Sequence, residues 1–178
     1  MPKLELQPQS KAPPLIAAVC DYWKRKRGAA AWPRRQDIVP AEIKQWLPRV
    51  LLVEAIDRGA DFRYRLVGSR LGEFFPAEPS GKIMSEVLAP FGVVTTQKTL
   101  ETYRSVLSMR EPLRVKGDGA WYEQSLKYFE AVLAPLSEDG VTVNMIFGAF
   151  DFMWVRVDAG ARETVDDEAW NTARALLG

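Results

Sequence analysis

Apolar positions recur at helical spacing early in the chain, at alternate positions in its middle, and at helical spacing again before a long strand-like region. In "PLIAAVCDYWKRKRG", residues 14 to 28, Leu15, Ile16, Val19, Tyr22 and Trp23 share one face between an opening Pro14 and a closing Gly28. That pattern predicts an amphipathic helix. Residues 1–13 are polar, without period, and read as a loose arm. Pro40, Ile43, Trp46 and Leu47 predict a short helix ending before Pro48. The period then switches to that of strands: "RVLLVEAI" (49–56) and "FRYRLVGS" (62–69), joined by "DRGAD", predict an antiparallel hairpin. "SRLGEFF" and "IMSEVLAP" predict short helices, and 92–109 a longer one with Val93, Leu100, Tyr103 and Leu107 on its stripe. "PLRVKG", "QSLKYFEAVLAPL" and "VTVNMIFGAFDFMWV" read as three more strands, with "SEDG" turning between the last two. Thr164 with Asp167 three residues on predicts an N-cap for a terminal helix bearing Trp170, Ala173 and Leu177.

This order is not βαβ alternation, so a doubly wound parallel sheet is disfavoured. An α+β fold fits it: one antiparallel sheet with short helices and one long helix on one face, plus N-terminal and C-terminal amphipathic helices. The chain of 178 residues allows one domain with a real core. The expected division is an arm at 1–13, a domain at 14–157 and a C-terminal helix at 158–178.

Composition changes the picture mainly by exclusion. A net charge of +1 gives no field to draw the chain onto nucleic acid or anionic lipid. The basic run "KRKR", residues 24–27, favours the C-terminal end of a helix dipole and reads as a solvated face. No apolar run suits a membrane span or signal peptide, and a lone cysteine, Cys20, agrees with a reducing compartment, so the cytoplasm is expected. The absence of histidine removes His-based general catalysis, Ser-His and Cys-His dyads, most zinc sites and His-ligated haem. "PSGKIM" has Pro76 where a phosphate loop needs glycine and Ile83 where it needs Ser or Thr, and reads as a turn.

The segments "DYWKRKRG", "WPRRQDIVPAEIKQWLPRVLLVEA", "FRYRLVGSRLGEFF", "SGK", "YRSVLSMREPL" and "YFEAVLAPLSEDG" resemble a bacterial stand-alone PAS-domain family over roughly residues 15 to 150. The resemblance implies a five-stranded antiparallel sheet with a pocket between sheet and helices, holding haem, flavin, a small organic ligand or only side chains. Cysteinyl-flavin chemistry would need a cysteine after the second strand, and Cys20 precedes the sheet. The cofactor is therefore unknown. The family tends to place an acidic cap before the proline of its short helix; here the position is Val39, a loss of about 1 kcal/mol unless another group replaces it.

Candidate ligand-binding residues are Tyr64, Leu66, Phe74, Tyr103, Trp121, Glu130 and Phe147. Their aromatic members suit a planar ligand, against the plainer reading that they fill the core. Glu130, if inward, needs a partner, for which Arg65 is the candidate. The leading expectation is a non-catalytic sensory or regulatory domain, possessing no output domain of its own and signalling to an unidentified protein by surface contact. Homodimer or partner contacts are expected at Leu15, Val19, Tyr22, Trp23, Arg63 and Arg65. The alternatives are a small isomerase- or hydratase-type enzyme using a carboxylate and a tyrosine, and a ligand-free scaffold. Strand alternation puts Phe62, Tyr64 and Leu66 on one face and Arg63, Arg65 and Val67 on the other, unless a bulge before Gly68 intervenes.

Overall fold

The computed structural model describes residues 5–6, 13–118, 126–158 and 161–164. Strand β1 (Glu5–Leu6) is followed by helix α1 (Pro14–Arg27), strands β2 (Val50–Ile56) and β3 (Asp61–Val67), and helices α2 (Ser69–Gly72), α3 (Met84–Leu88) and α4 (Val93–Leu107). Strands β4 (Leu113–Asp118), β5 (Leu126–Ser137), β6 (Val143–Asp158) and β7 (Ala161–Thr164) complete the order. The strands lie β1-β4-β5-β6-β2-β3 with β7 against β6, and every pair is antiparallel. The central five are the strands expected from the sequence.

Alternation along each strand divides the apolar residues between two clusters. On the front face, Leu51, Val53, Tyr64, Ala131, Leu133 and Ile146 meet the side chains of α2, α3 and α4. On the back face, Val50, Leu52, Val132, Ala134, Phe147 and Ala149 meet Ile16, Val19, Tyr22 and Trp23 of α1. Both faces are thus covered by helix, which is why β6 reads as an almost continuous apolar run.

Helix α1 is fixed by hydrogen bonds as well as by burial. β4 stops opposite Leu133, so β5 beyond that residue lacks a strand neighbour on this side, and the Trp23 indole N–H donates to the Pro135 carbonyl at 2.8 Å. The Ser137 N–H donates to the Pro33 carbonyl at 3.1 Å, closing the same edge. The Tyr22 hydroxyl donates to Glu42 at 2.9 Å and accepts the Val39 N–H at 3.0 Å. A residue 17 positions away therefore satisfies the Val39 N–H, while the Glu42 N–H, which a capping side chain at position 39 would receive, goes to the Val39 carbonyl at 3.0 Å.

Several expectations are corrected. Part of the arm is ordered by pairing, with Glu5 opposite Lys116 and Leu6 opposite Val115. The helix expected from Pro40 is a run of turns ending in a 3₁₀ turn at Leu47–Arg49, its N–H groups bonding mainly three residues back, Glu42 to Val39, Trp46 to Ile43 and Arg49 to Trp46. Thr164 closes β7 instead of capping a helix, and the C-terminal helix expected beyond it lies outside the described residues.

The main local surprise is in β3. Leu52 lies opposite Leu66 and Val53 opposite Tyr64, so Arg65 is an extra residue in the strand. This bulge reverses the alternation after Tyr64. Leu66, expected on the pocket face, is 38% exposed, and Val67 turns inward to pack on the front cluster. At the strand end, a Cβ on Gly68 would stand 2.1 Å from the Leu47 carbonyl oxygen, so glycine is required where α2 starts against the 47–49 turn.

Candidate functional site

The front cluster does not close. A cavity of about 130 Å³ remains between the sheet and helices α2 to α4. Its floor is Leu51, Val115, Ala131 and Leu133 of the sheet, and its aromatic wall includes Phe74, Phe75, Phe129, Phe150 and Phe152. The Phe74 and Phe152 rings stack 4.3 Å apart and 16° from parallel, fixing the turn after helix α2 against β6. Gly117 forms part of the lining because the Phe129 ring lies over it: a Cβ there would be 2.2 Å from that ring.

Tyr64 and Tyr103 line this apolar space, and both residues are at least 95% buried. Tyr64 sits on the outer strand β3, whose free edge is closed by the 81–82 loop. The Tyr64 N–H donates to the Lys82 carbonyl at 3.0 Å, and its carbonyl accepts the Gly81 N–H at 2.7 Å. The "SGK" turn thus has a structural role in holding Tyr64. Tyr103 sits on α4, which Arg104 ties to the β2–β3 turn by donating to the Gly59 and Ala60 carbonyls at 2.7 and 2.9 Å. The Tyr103 ring lies 5.5 Å from Phe62. Burial pushes both phenols well above the ordinary tyrosine range, so both keep their protons at any physiological pH.

Of the residues singled out from sequence, Tyr64, Phe74 and Tyr103 line the cavity. Trp121 lies outside the described residues. Phe147 belongs to the opposite face, buried against α1. Glu130 also faces that way; its partners are Arg114 at 3.2 Å and Lys116 at 4.0 Å, and Arg65 instead pairs with Glu54 at 3.7 Å. Glu130 and Tyr103 stand on opposite sides of the sheet, so these two residues do not form the carboxylate–tyrosine pair of the enzyme alternative. Of the residues offered to a second subunit, Val19, Tyr22 and Trp23 are buried within this chain and Leu15 packs beside them, whereas Arg63 and Arg65 are exposed.

Beyond Tyr103, the α4 side of the cavity is not evident from the sequence pattern. Thr95, Lys98, Thr99 and Thr102 line it. Three threonines at spacings of four and three in "TTQKTLET" are the available signal, since they mark one helix face with small side chains. Among the described residues no group of His, Cys, Asp and Glu could hold a metal ion, and no helix is long and apolar enough to cross a membrane.

A family model described as PAS domain matches residues 11–151. No curated protein and no solved structure matches the chain.

Proposed function

The chain belongs to the PAS domain family of sensory and regulatory domains, and on that premise we propose that it is a non-catalytic sensor, taking a small apolar ligand between its sheet and helix α4. Occupancy is passed to a protein partner in the cytoplasm through surface contacts. The observation that carries this reading is the unfilled front cluster. Close packing is the rule in protein interiors, and a void lined by leucine and phenylalanine lowers stability unless something fills it. Here the void lies beside α4, whose position is set by side-chain contacts to the sheet and by Arg104, so a ligand has an element to move.

The volume decides the size of ligand. About 130 Å³ is close to the cavity size that holds one benzene ring, and well below the roughly 300 Å³ at which common ligand sites begin. A flavin or haem would need α4 to move away from the sheet; a single ring or a short chain would not. The same small volume favours one competitor, a scaffold whose cavity stays empty.

Native mass spectrometry of the protein purified from its own host separates the two. We expect a stoichiometric non-covalent mass that is lost when Ala131→Leu fills the cavity floor. A bare mass, together with no thermal stabilisation by any single-ring compound, would sink the sensor reading in favour of the scaffold.

A further inference from the structure

The donors around the cavity come from Tyr64, Tyr103 and Lys98. The Thr99 and Thr102 hydroxyls donate to the Thr95 and Lys98 carbonyls at 2.8 and 2.9 Å, so their protons stay on the helix and only their acceptor lone pairs are left over. Tyr64 and Tyr103 both line the cavity, and neither hydroxyl has a hydrogen-bond partner among the described residues. A phenol donor at an apolar cavity gains a hydrogen bond from a ligand that brings acceptors. Two phenol donors in the lining of one cavity match the two oxygens of one carboxylate.

A buried carboxylate also needs a counter-charge. Lys98 is the charged side chain among the described residues lining the cavity. It is half-buried on α4, and no described acidic residue pairs with it. No aspartate or glutamate among the described residues lines the space; the Asp61 carboxylate stands outside the lining, though near enough to Tyr64 to help hold its proton. Apart from these groups the lining is hydrocarbon and aromatic ring, suited to an apolar body.

We propose that the cavity takes a small monocarboxylic acid with a body of about one ring, its carboxylate received by the Tyr64 and Tyr103 hydroxyls and balanced by Lys98. This rests on the ligand-binding reading above and narrows it to a class of molecule. The phenols confer orientation, and Lys98 makes the site read charge as well as shape.

Titration calorimetry of the full chain with benzoate, benzamide and toluene tests it. These probes share a ring and differ in head group: anionic, neutral polar and absent. Benzoate is expected to bind at least about tenfold tighter than benzamide, the worth of a charge-assisted hydrogen bond. Lys98→Met should bring the two within about twofold, and Tyr64→Phe or Tyr103→Phe should weaken benzoate about three- to tenfold without weakening toluene. Toluene binding and an unchanged melting curve show that each variant is folded. If toluene binds but benzoate is no tighter than benzamide, the carboxylate assignment fails while the ligand-binding reading survives. If Lys98→Met leaves the benzoate preference intact, Lys98 is not the counter-charge and the proposal is overturned. If none of the three binds the wild-type chain, the ligand-binding reading fails with it.

Discussion

The two faces of the sheet are built from similar residues and finished differently. Behind it, Tyr22 and Trp23 are buried and their polar atoms are in use: the indole N–H is on Pro135, and the Tyr22 hydroxyl serves both Glu42 and Val39. In front, Tyr64 and Tyr103 are just as buried beside a void, with hydroxyls that have no partner among the described residues. Burial alone would class all three tyrosines together. Hydrogen-bond satisfaction separates a face that is structurally complete from one that is incomplete without something added.

The largest expected effect breaks the complete face. Trp23→Ala removes a fully buried side chain and leaves the Pro135 carbonyl without its donor, so a loss of about 3–5 kcal/mol is expected in urea denaturation. A loss below about 1 kcal/mol would show that α1 is an accessory and not half of the core. Next comes the alkaline limit, which belongs to the front. The folded pKa values of Tyr64 and Tyr103 are raised by burial, so the folded state holds their protons more tightly than the unfolded chain does. Their contribution is complete below the unfolded value, about 10, and is lost as pH rises above it. Absorbance at 295 nm should show these two phenols ionising only together with loss of far-ultraviolet dichroism; their ionisation in the intact fold would mean that the cavity is wet and open.

A smaller change sharpens the contrast from within the cavity. Gly117→Ala places a methyl where the Phe129 ring now lies, forcing the ring away. The expected cost is about 1–3 kcal/mol, with single-ring ligands no longer stabilising the protein in thermal melts. Retention of both stability and uptake would show that Phe129 has room to move and is not a wall.

Most of the architecture was legible because the apolar period changes from 3.6 to 2 at Val50 and back after Gly68, and each change coincides with a proline or glycine. Tyr64, Phe74 and Tyr103 share the front face for the same reason. Leu66 does not, because the extra residue at Arg65 reverses the face and leaves no mark in composition. Phe147 lies in a strand covered on both sides, where an unbroken apolar run cannot say which face a residue takes. The partners of Glu130 depended on β4 lying beside β5 in a register that sets Lys116 opposite Glu130, information that strand periodicity does not contain. Lys98 was missed because the helix stripe was drawn through large apolar residues, one of which, Val93, is 71% exposed, while the cavity is lined by the threonine side.

The finest distinction between the faces is a single hydroxyl. Tyr22→Phe deletes an oxygen that accepts one hydrogen bond and donates another, leaving the Val39 N–H without its acceptor; about 1–2 kcal/mol should be lost. Tyr103→Phe deletes an oxygen that has no described partner, in an apolar surround, so its stability should change by less than about 0.5 kcal/mol or rise. The two substitutions remove the same atom from the same residue type at similar burial, so transfer free energy largely cancels between them. What remains is whether the oxygen was already in use. Equal losses from parallel urea titrations would mean that the front hydroxyl is satisfied in solution, by water or by a residue beyond the described ones, and the face that looks unfinished would then be complete.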